Sequence, residues 1–251
     1  MRLTALFTDY DGTLAPADVD RDDSRVPLGV ERALRKLSRL MPIAVITSKD
    51  LDFVLPRTKK FAAAWACVGG IETTMAGGST LVSSRVRDMR TTLIEVRRIV
   101  PEGFLLEEKR SSDGKVIGVC VDWTRAGGTV DERLVSKLAA LLRRRGAYVD
   151  RQPQCTYLDA FAAVPDKGLA LTRLKESLGI DGPIMYMGDS TLDNAAFAKS
   201  DVAVGVYHGQ PTDQLRCSLL IRFDSVERLL SSLVNDDLEF SRGMIESTMT
   251  V

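Results

Sequence analysis

Short apolar runs alternate along the chain with segments of helical hydrophobic spacing. Runs at residues 3–8, 42–47 and 65–68 are typical of buried parallel strands, and the first stops at an acidic loop. Between the first two runs, apolar residues recur at the spacing of one helix face, at Val30, Ala33, Leu34 and Leu37. Strands that alternate with helices predict βαβ units and a parallel sheet.

The pattern changes near Gly77 and Gly78. Helical spacing and strand-like runs then predict six elements in the order α-β-β-α-β-β, at residues 87–100, 104–108, 116–123, 130–145, 148–151 and 156–159. The sequence Ser111-Ser112-Asp113-Gly114 is typical of a turn between the first two strands. This order predicts a self-contained module with an antiparallel sheet.

The alternation of helices and strands resumes at Lys167-Gly168, which begins a helix. Strands are predicted at 184–187, 202–206 and 219–223, and helices at 167–178, around 195–197 and at 226–233. The simplest layout is an α/β protein with a doubly wound parallel sheet. Residues 1–82 and 161–251 form this core, and residues 83–160 form an inserted α+β cap.

Charge and cysteine spacing limit the classes of function. Lys and Arg number 34, as do Asp and Glu, so no global basic field favours nucleic acid or an anionic membrane. The four cysteines form no CxxC pair, which argues against a zinc knuckle and favours reduced thiols. No stretch reaches the roughly 18 apolar residues of a membrane span, and the first residues do not resemble an export signal. We therefore expect a cytoplasmic protein, monomeric or weakly dimeric, without nucleic-acid or membrane partners.

Four polar segments follow predicted core strands or begin a core helix. They are Asp9-Tyr10-Asp11-Gly12-Thr13, Thr47-Ser48, Lys167 after Pro165-Asp166, and Gly188-Asp189-Ser190-Thr191-Leu192-Asp193. Open parallel sheets bind ligands at the carboxyl ends of their strands, so we expect these segments to meet at one edge of the sheet. Asp9 and Asp11 can share one hard cation through oxygen ligands, and Gly12 permits a tight turn.

Hydrolysis of a phosphate ester needs such a set of groups. A carboxylate nucleophile such as Asp9 must approach an anionic phosphorus, so the repulsion has to be neutralised. Mg²⁺ can do this, Lys167 adds a fixed positive charge, and Thr47 can hydrogen-bond a phosphate oxygen. Asp11 can protonate the leaving oxygen and then activate water. The sequence therefore predicts a Mg²⁺-dependent phosphatase.

These segments resemble the four motifs of the haloacid dehalogenase superfamily of phosphatases, in the order of that family. The matching segments are Asp9-Tyr10-Asp11-Gly12-Thr13-Leu14, Ile46-Thr47-Ser48, Lys167-Gly168, and Gly188-Asp189 with Asp193. The resemblance implies that Asp9 is the nucleophile and Asp11 the general acid and base. It also implies that Asp9, the Asp11 backbone carbonyl and Asp189 hold Mg²⁺, with Asp193 in support. The inserted module resembles the C2-type cap of the superfamily.

Within the superfamily, the sequence around Asp9 is similar to that of trehalose-6-phosphate phosphatases, which favour Tyr between the two aspartates and Pro shortly after Leu. Three further places are similar to that branch: Gly70-Ile71-Glu72, Glu107-Glu108-Lys109, and Asp159 eight residues before Lys167. The resemblance implies that Glu107, Lys109 and Asp159 reach sugar hydroxyls when the cap closes, and Gly70 is a further candidate for substrate binding. Closure would exclude water from the site.

The chain also departs from that branch. Thr47-Ser48-Lys49 replaces Ser-Gly-Arg, Ser190 and Asn194 alter the fourth motif, Asp159 replaces Glu, and Val121-Asp122-Trp123 stands where His-x-Arg is common. None of these changes removes the phosphoryl-transfer residues, but together they leave the sugar open. Trehalose 6-phosphate is the first candidate substrate. The rivals are mannosyl- or glucosyl-3-phosphoglycerate, sucrose phosphate and other small phosphate esters.

Three other classes of protein share parts of this pattern. Response-regulator receiver domains also combine acidic residues, a Thr and a Lys on a parallel sheet, but their phosphorylated aspartate follows a middle strand. A catalytically silent subunit is expected to lose Asp9, Asp11 or Lys167 first. Phosphomutases usually carry their cap between the first two motifs, where only a loop and one helix are predicted here.

Two further polar residues are interpreted as structural. His208, the only histidine, lies in the loop-like sequence Tyr207-His208-Gly209-Gln210-Pro211 and is interpreted as a solvated loop residue. Glu72 is interpreted as capping a turn.

Overall fold

A computed structural model of the protein describes residues 1–17, 19–82, 86–126, 130–151, 155–209, 214–241 and 243–244. Within these residues the strands are β1 (Ala5–Thr8), β2 (Ile43–Ile46), β3 (Ala64–Cys67), β4 (Glu72–Met75), β5 (Thr80–Val82), β6 (Leu105–Arg110), β7 (Val116–Asp122), β8 (Tyr148–Asp150), β9 (Tyr157–Phe161), β10 (Ile184–Gly188), β11 (Val202–Tyr207) and β12 (Leu219–Arg222). The helices are α1 (Leu28–Leu37), α2 (Leu51–Thr58), α3 (Arg90–Ile99), α4 (Glu132–Arg144), α5 (Lys167–Ser177), α6 (Asn194–Phe197) and α7 (Val226–Asn235).

The core is an eight-stranded sheet in the order β12-β11-β10-β1-β2-β3-β4-β5. The six strands from β12 to β3 are parallel, and β4 and β5 extend the sheet as an antiparallel hairpin. The chain moves outward from β1 through β2 and β3 on one side, and from β10 through β11 and β12 on the other. The strand order therefore reverses between β1 and β10, which is where sheets of this kind bind ligands.

Both faces of the core sheet are covered. In β1, the side chain of Leu6 packs with helices α1, α2 and α7, whereas Ala5 and Phe7 pack on the opposite face with α5 and α6. Because both faces are buried, nearly every position of the parallel strands is apolar. The α/β class and the doubly wound parallel sheet predicted from the sequence are confirmed.

Two parts of the core were not predicted. Helix α2 fills the connection between β2 and β3, and it is capped by Asp50, whose side chain accepts a hydrogen bond from the Phe53 amide. The hairpin of β4 and β5 has a threonine-rich first strand and a second strand of only 3 residues, which gave no clear period in the sequence. The inserted segment consequently follows this hairpin and not β3 directly.

The inserted segment forms a separate four-stranded antiparallel sheet in the order β6-β7-β9-β8. Helices α3 and α4 cover one face with their own apolar cluster, which includes Leu93, Val96, Leu138 and Leu142. The order α-β-β-α-β-β agrees with the sequence prediction. The exact boundaries of the cap stay predictions, and residue 83 lies outside the described residues.

The other face of the cap sheet lies against the core. Ile117 and Phe161 join the apolar cluster of the core. Close to the turn between β6 and β7, the Ser112 amide donates a 2.8 Å hydrogen bond to the fully buried carboxylate of Glu72, so Glu72 joins the core to the cap. Among the described residues, none of the helices is long and apolar enough to cross a membrane.

Candidate active site

The candidate site lies where β1 and β10 end, at the reversal of strand order. Asp9 follows β1 directly and is only 6% exposed, and its amide donates a 2.8 Å hydrogen bond to the Met187 carbonyl of β10. Asp189 follows β10 in the same way. The parallel pairing of these two strands therefore brings two carboxylates from distant parts of the sequence to one point.

The loop after Asp9 depends on a glycine. Gly12 has φ of 73°, in the left-handed region that L side chains rarely adopt. A Cβ atom at this position would lie 1.9 Å from Oδ2 of Asp189. Glycine therefore allows the loop to turn while its backbone closely approaches the second carboxylate.

Lys167 is the cation of the site. Asp166 caps the start of α5, and the first helical residue, Lys167, is 3% exposed. Its Nζ lies 3.1 Å from Oδ1 of Asp9 and 2.7 Å from Oδ1 of Asp193. Burial lowers the pKa of Lys167, but the carboxylates of Asp193 and Asp9 more than offset this effect and hold it above its ordinary value. Lys167 is therefore a fixed positive charge beside the predicted nucleophile.

Asp193 is held more tightly than any other acid of the site. It is fully buried, and its Oδ1 accepts hydrogen bonds from Lys167 at 2.7 Å and from the Tyr186 hydroxyl at 2.5 Å. Its Oδ2 accepts from the amide and hydroxyl of Ser190, at 3.0 and 2.8 Å. Because both oxygens are already engaged, Asp193 is suited to orient Lys167 and the loop after β10.

Asp9, Asp189 and Asp193 form a cluster that could hold a metal ion, since one carboxylate oxygen of each lies within 4.8 Å of the others. Burial raises the pKa of Asp9 to about 7, an effect that Lys167 opposes and Asp193 reinforces. Burial and the charge of Asp9 likewise hold the pKa of Asp189 well above its ordinary value. Three carboxylates with one lysine leave an excess of negative charge, and their oxygens are the donors that hard divalent cations prefer. The residues fit such a cation.

Asp11 stands apart from this cluster. Its Oδ1 accepts a 2.9 Å hydrogen bond from the hydroxyl of Ser24, and its Oδ2 lies 3.9 Å from Nζ of Lys49. Ser24 is itself buried and accepts a hydrogen bond from the Tyr10 hydroxyl through its carbonyl. The carboxylate of Asp11 is therefore oriented by neighbours that are not the predicted metal ligands.

Thr47 occupies the end of β2, the neighbour of β1. It is 1% exposed, and its hydroxyl oxygen accepts a 3.1 Å hydrogen bond from the Lys49 amide. The structure thus brings Thr47 to the same edge of the sheet as Asp9, as the sequence predicted.

The cap residue Glu107 reaches the core side of the site. Its carboxylate pairs with the Arg21 guanidinium and lies 3.3 Å from Nζ of Lys49. Arg21 also lies 3.4 Å from Asp50, which begins α2. Nζ of Lys49 also lies near the Asp11 carboxylate. Lys49 of the core therefore connects Glu107 of the cap with Asp11, in the loop after β1.

Lys109 and Asp159 form a buried ion pair within the cap sheet. Nζ of Lys109 lies 2.5 Å from Oδ1 of Asp159, and their side chains are 2% and 11% exposed. Burial lowers the pKa of Lys109, but Asp159 more than offsets this and raises it above its ordinary value. Both residues lie on the cap face that carries Glu107, since strand side chains alternate and β7 aligns Cys120 with both Glu107 and Asp159.

Gly70 lies beside the start of α5. Its φ is 91°, and a Cβ atom there would come within 3.0 Å of the Asp166 carbonyl and 2.7 Å of the Ala170 side chain. The structure therefore explains this glycine by the close packing of the chain against α5, and its predicted contact with substrate stays a prediction.

Sequence reasoning missed several residues of the site. Tyr186 and Ser190 hold Asp193, Arg21 pairs with Glu107, and His208 contacts the backbone of Gly12. Ser190 could have been found from its place in the fourth motif, three residues before Asp193. Arg21 carried no such signal, because its partner lies 86 residues away in the cap.

Known proteins that are similar to this chain are found both by sequence and by structure. No protein-family model matches the sequence. The chain is 30% identical to a trehalose-phosphate phosphatase of Mycolicibacterium paratuberculosis over 210 residues, which are 78% of this chain and 51% of that protein. It is 26% identical to probable trehalose-phosphate phosphatase I of Arabidopsis thaliana over 217 residues, 76% of this chain and 56% of that protein. The chain thus spans about half the length of these relatives.

Solved structures share nearly the whole fold. A trehalose-6-phosphate phosphatase related protein has a TM-score of 0.72 at 16% identity, covering 92% of this chain and 97% of its own. The C-terminal domain of the Candida albicans trehalose-6-phosphate phosphatase has a TM-score of 0.71 at 15% identity, covering 93% and 92%. The resemblance to haloacid dehalogenase phosphatases expected from the four motifs is confirmed, and the chain has their fold.

Proposed function

We propose that the protein is a Mg²⁺-dependent phosphatase that hydrolyses a sugar phosphate monoester, with trehalose 6-phosphate as the first candidate. One observation carries the proposal. Asp9 is buried at the reversal of strand order, 3.1 Å from Lys167 and clustered with Asp189 and Asp193. The names of the relatives support the choice of sugar phosphate.

In the proposed reaction, a carboxylate oxygen of Asp9 attacks the phosphorus of the ester. The bond from phosphorus to the sugar oxygen breaks, and that oxygen takes a proton from Asp11. Asp11, now ionised, accepts a proton from water, whose oxygen attacks the phosphorus. The bond between phosphorus and Asp9 then breaks, which releases inorganic phosphate, restores the Asp9 carboxylate and leaves Asp11 protonated for the next cycle.

The residues around Asp9 prepare it for this role. Lys167 supplies a fixed positive charge against the phosphoryl oxygens, and the Thr47 hydroxyl can donate a hydrogen bond to one of them. Asp193 holds Lys167 in place. Asp9, the backbone carbonyl of Asp11 and Asp189 would hold Mg²⁺, which when bound neutralises the carboxylates and draws charge from a phosphate oxygen.

The cap supplies the proposed contacts with the sugar. Glu107, Lys109 and Asp159 share the face that lies against the core, where hydroxyl groups of a bound substrate would meet them. Burying this face excludes water from the reacting phosphoryl group. A cytoplasmic location and a monomeric or weakly dimeric state belong to the same proposal.

A phosphate-release panel tests the proposal. The purified protein is assayed with trehalose 6-phosphate, sucrose phosphate, and glucosyl- and mannosyl-3-phosphoglycerate, each with Mg²⁺ and with EDTA. We expect the highest kcat/KM with trehalose 6-phosphate and no turnover in EDTA. Faster turnover of a phosphoglycerate ester would make that ester, and not trehalose 6-phosphate, the proposed substrate. Turnover in EDTA would contradict the metal requirement. No turnover of any sugar phosphate would contradict the proposed function.

A further inference from the structure

His208 makes a direct contact with the loop that carries Asp9 and Asp11. It follows β11, and its Nε2 lies 2.8 Å from the carbonyl oxygen of Gly12. The imidazole ring stacks on Phe223, with 4.9 Å between ring centroids and 28° between planes. The sequence interpretation of His208 as a solvated loop residue misses this contact, although the residue is exposed.

Gly12 is the point at which this loop most needs external support. Glycine has no side chain that would restrict its backbone, and its φ of 73° can be exchanged for other conformations at low cost. One flanking peptide is fixed because the Gly12 amide donates a 2.8 Å hydrogen bond to the Ala15 carbonyl. In the other flanking peptide, the Thr13 amide donates only a long hydrogen bond of 3.4 Å to the Tyr10 carbonyl, and the carbonyl of Gly12 is the group that His208 contacts.

We infer that His208 is a positioning residue, which holds the second peptide of Gly12 and thereby fixes the backbone next to the general acid and base Asp11. This inference rests on the proposed phosphatase function. The Asp11–Gly12 peptide is held by the Ala15 carbonyl and the Gly12–Thr13 peptide by His208. Because each peptide unit is planar, the two contacts together fix φ and ψ of Gly12 and with them the backbone from Asp11 to Thr13. The stacking on Phe223 in turn limits rotation of the imidazole.

The direction of the hydrogen bond follows from its partner. A carbonyl oxygen only accepts, so Nε2 must carry the hydrogen and donate it. In neutral His208 this selects the tautomer with hydrogen on Nε2 and leaves Nδ1 without one. The inference therefore predicts a chemical state of the ring that can be observed without any assay of activity.

Three substitutions separate positioning from a general structural effect. Glutamine can place an amide N–H near the position of Nε2, asparagine places one near Nδ1, and alanine places none. We expect His208→Ala and His208→Asn to lower kcat for the sugar phosphate about fivefold, the rate equivalent of one ordinary hydrogen bond, with KM little changed. His208→Gln should recover turnover to within about twofold of the wild type. Thermal unfolding of all three variants checks that the fold is kept.

Because His208 is the only histidine of the chain, its imidazole signals in an NMR spectrum do not overlap with those of another histidine. A long-range ¹H–¹⁵N spectrum of the uniformly labelled protein, at about pH 8.5 where histidine is ordinarily neutral, should show one imidazole with hydrogen on Nε2. Hydrogen on Nδ1, or equal kcat values for the asparagine and glutamine variants, would overturn the inference. If the wild type releases no phosphate from any ester, the proposed function fails and the role in turnover fails with it. The spectrum would still show separately whether His208 bonds to Gly12.

Discussion

The core site and the cap face that lies against it balance their charges in different ways. At the core site, Asp9, Asp189 and Asp193 gather around Lys167, so negative charge is in excess among these four side chains. On the cap face, Asp159 pairs with Lys109 inside the cap. A second acid of that face, Glu107, pairs with two cations of the core.

This difference separates two tasks. Excess negative charge in a buried site favours the binding of a cation or of protons, which fits the metal ion and phosphoryl group proposed for the core. Because Asp159 and Glu107 are both paired, they offer hydrogen-bonding groups with little net charge of their own. We therefore expect changes in the core to affect every phosphate ester, and changes in the cap to affect mainly esters with a sugar.

The largest expected effect is the loss of the nucleophile. Asp9→Asn should lower kcat by at least about 10⁴-fold for both trehalose 6-phosphate and the small ester p-nitrophenyl phosphate, because no carboxylate remains to form the covalent intermediate. Phosphate release with each ester measures the effect. Asp181→Asn, at an exposed aspartate of the same core, serves as the matched control. Appreciable turnover by the Asp9 variant would contradict the covalent mechanism.

A second large effect is expected in the stability of the cap. Lys109→Met leaves the Asp159 carboxylate buried without its partner, which costs about 3–5 kcal/mol of unfolding free energy. Adding Asp159→Leu should recover much of this loss, because both charges are then gone. Denaturant unfolding of the single and double variants measures the two values.

The control for this experiment is the exposed pair of Lys115 and Asp113, whose side chains are 44% and 45% exposed. Lys115→Met should change the unfolding free energy far less than Lys109→Met does, since water screens such pairs. Equal losses for the two lysine variants would contradict the importance of burial at Lys109.

The two regions also differ in how far the sequence predicts them. The ends of the core strands were readable because strands buried on both faces give continuous apolar runs, and Asp9, Thr47 and Asp189 follow such runs directly. The strands and helices of the cap were predicted from their turn sequences and from apolar residues at helical spacing. Helix α2, with Pro56 inside it, and the hairpin of β4 and β5 lacked these signals.

Contacts between the regions could not be predicted in the same way. Glu107 was a candidate from its resemblance to a family motif, but its partners Arg21 and Lys49 lie 86 and 58 residues away in the chain. Their pairing depends on how the cap packs on the core, which local patterns do not encode. The contact of His208 with Gly12 lies within the core, but it spans 196 residues and was missed because local patterns do not encode contacts between such distant parts of the chain.

A smaller effect is expected when only the contact between the two regions is changed. Glu107→Gln removes the carboxylate charge that pairs with Arg21 and Lys49. The same carboxylate is proposed to accept a hydrogen bond from a sugar hydroxyl. We expect kcat/KM for trehalose 6-phosphate to fall about tenfold, as for a lost hydrogen bond to a charged group, and that for p-nitrophenyl phosphate to fall much less.

The neighbouring residue provides the matched control. Glu108 points to the opposite face of β6 and pairs with Arg97 of α3. Glu108→Gln should leave both kcat/KM values nearly unchanged. If Glu107→Gln lowered turnover of the two esters by the same factor, the assignment of the cap to sugar recognition would be wrong.

The smallest effect concerns the stability of the core site without metal. Burial raises the pKa of Asp9 from 3.8 to about 7, so the folded state binds this proton more tightly than the unfolded state does. Below about pH 4 the group is protonated in both states, and its cost to stability appears as the pH rises toward 7. Asp9→Asn removes the charge, so in EDTA at pH 8 the variant should be more stable than the wild type. The difference should shrink at pH 5, and saturating Mg²⁺ should reduce or reverse it at pH 8, because the ion stabilises the wild type preferentially.

Thermal unfolding under the three conditions measures this difference in stability, with Asp181→Asn expected to follow the wild type. A variant less stable than the wild type in EDTA at pH 8 would show that Lys167 already balances the charge of Asp9.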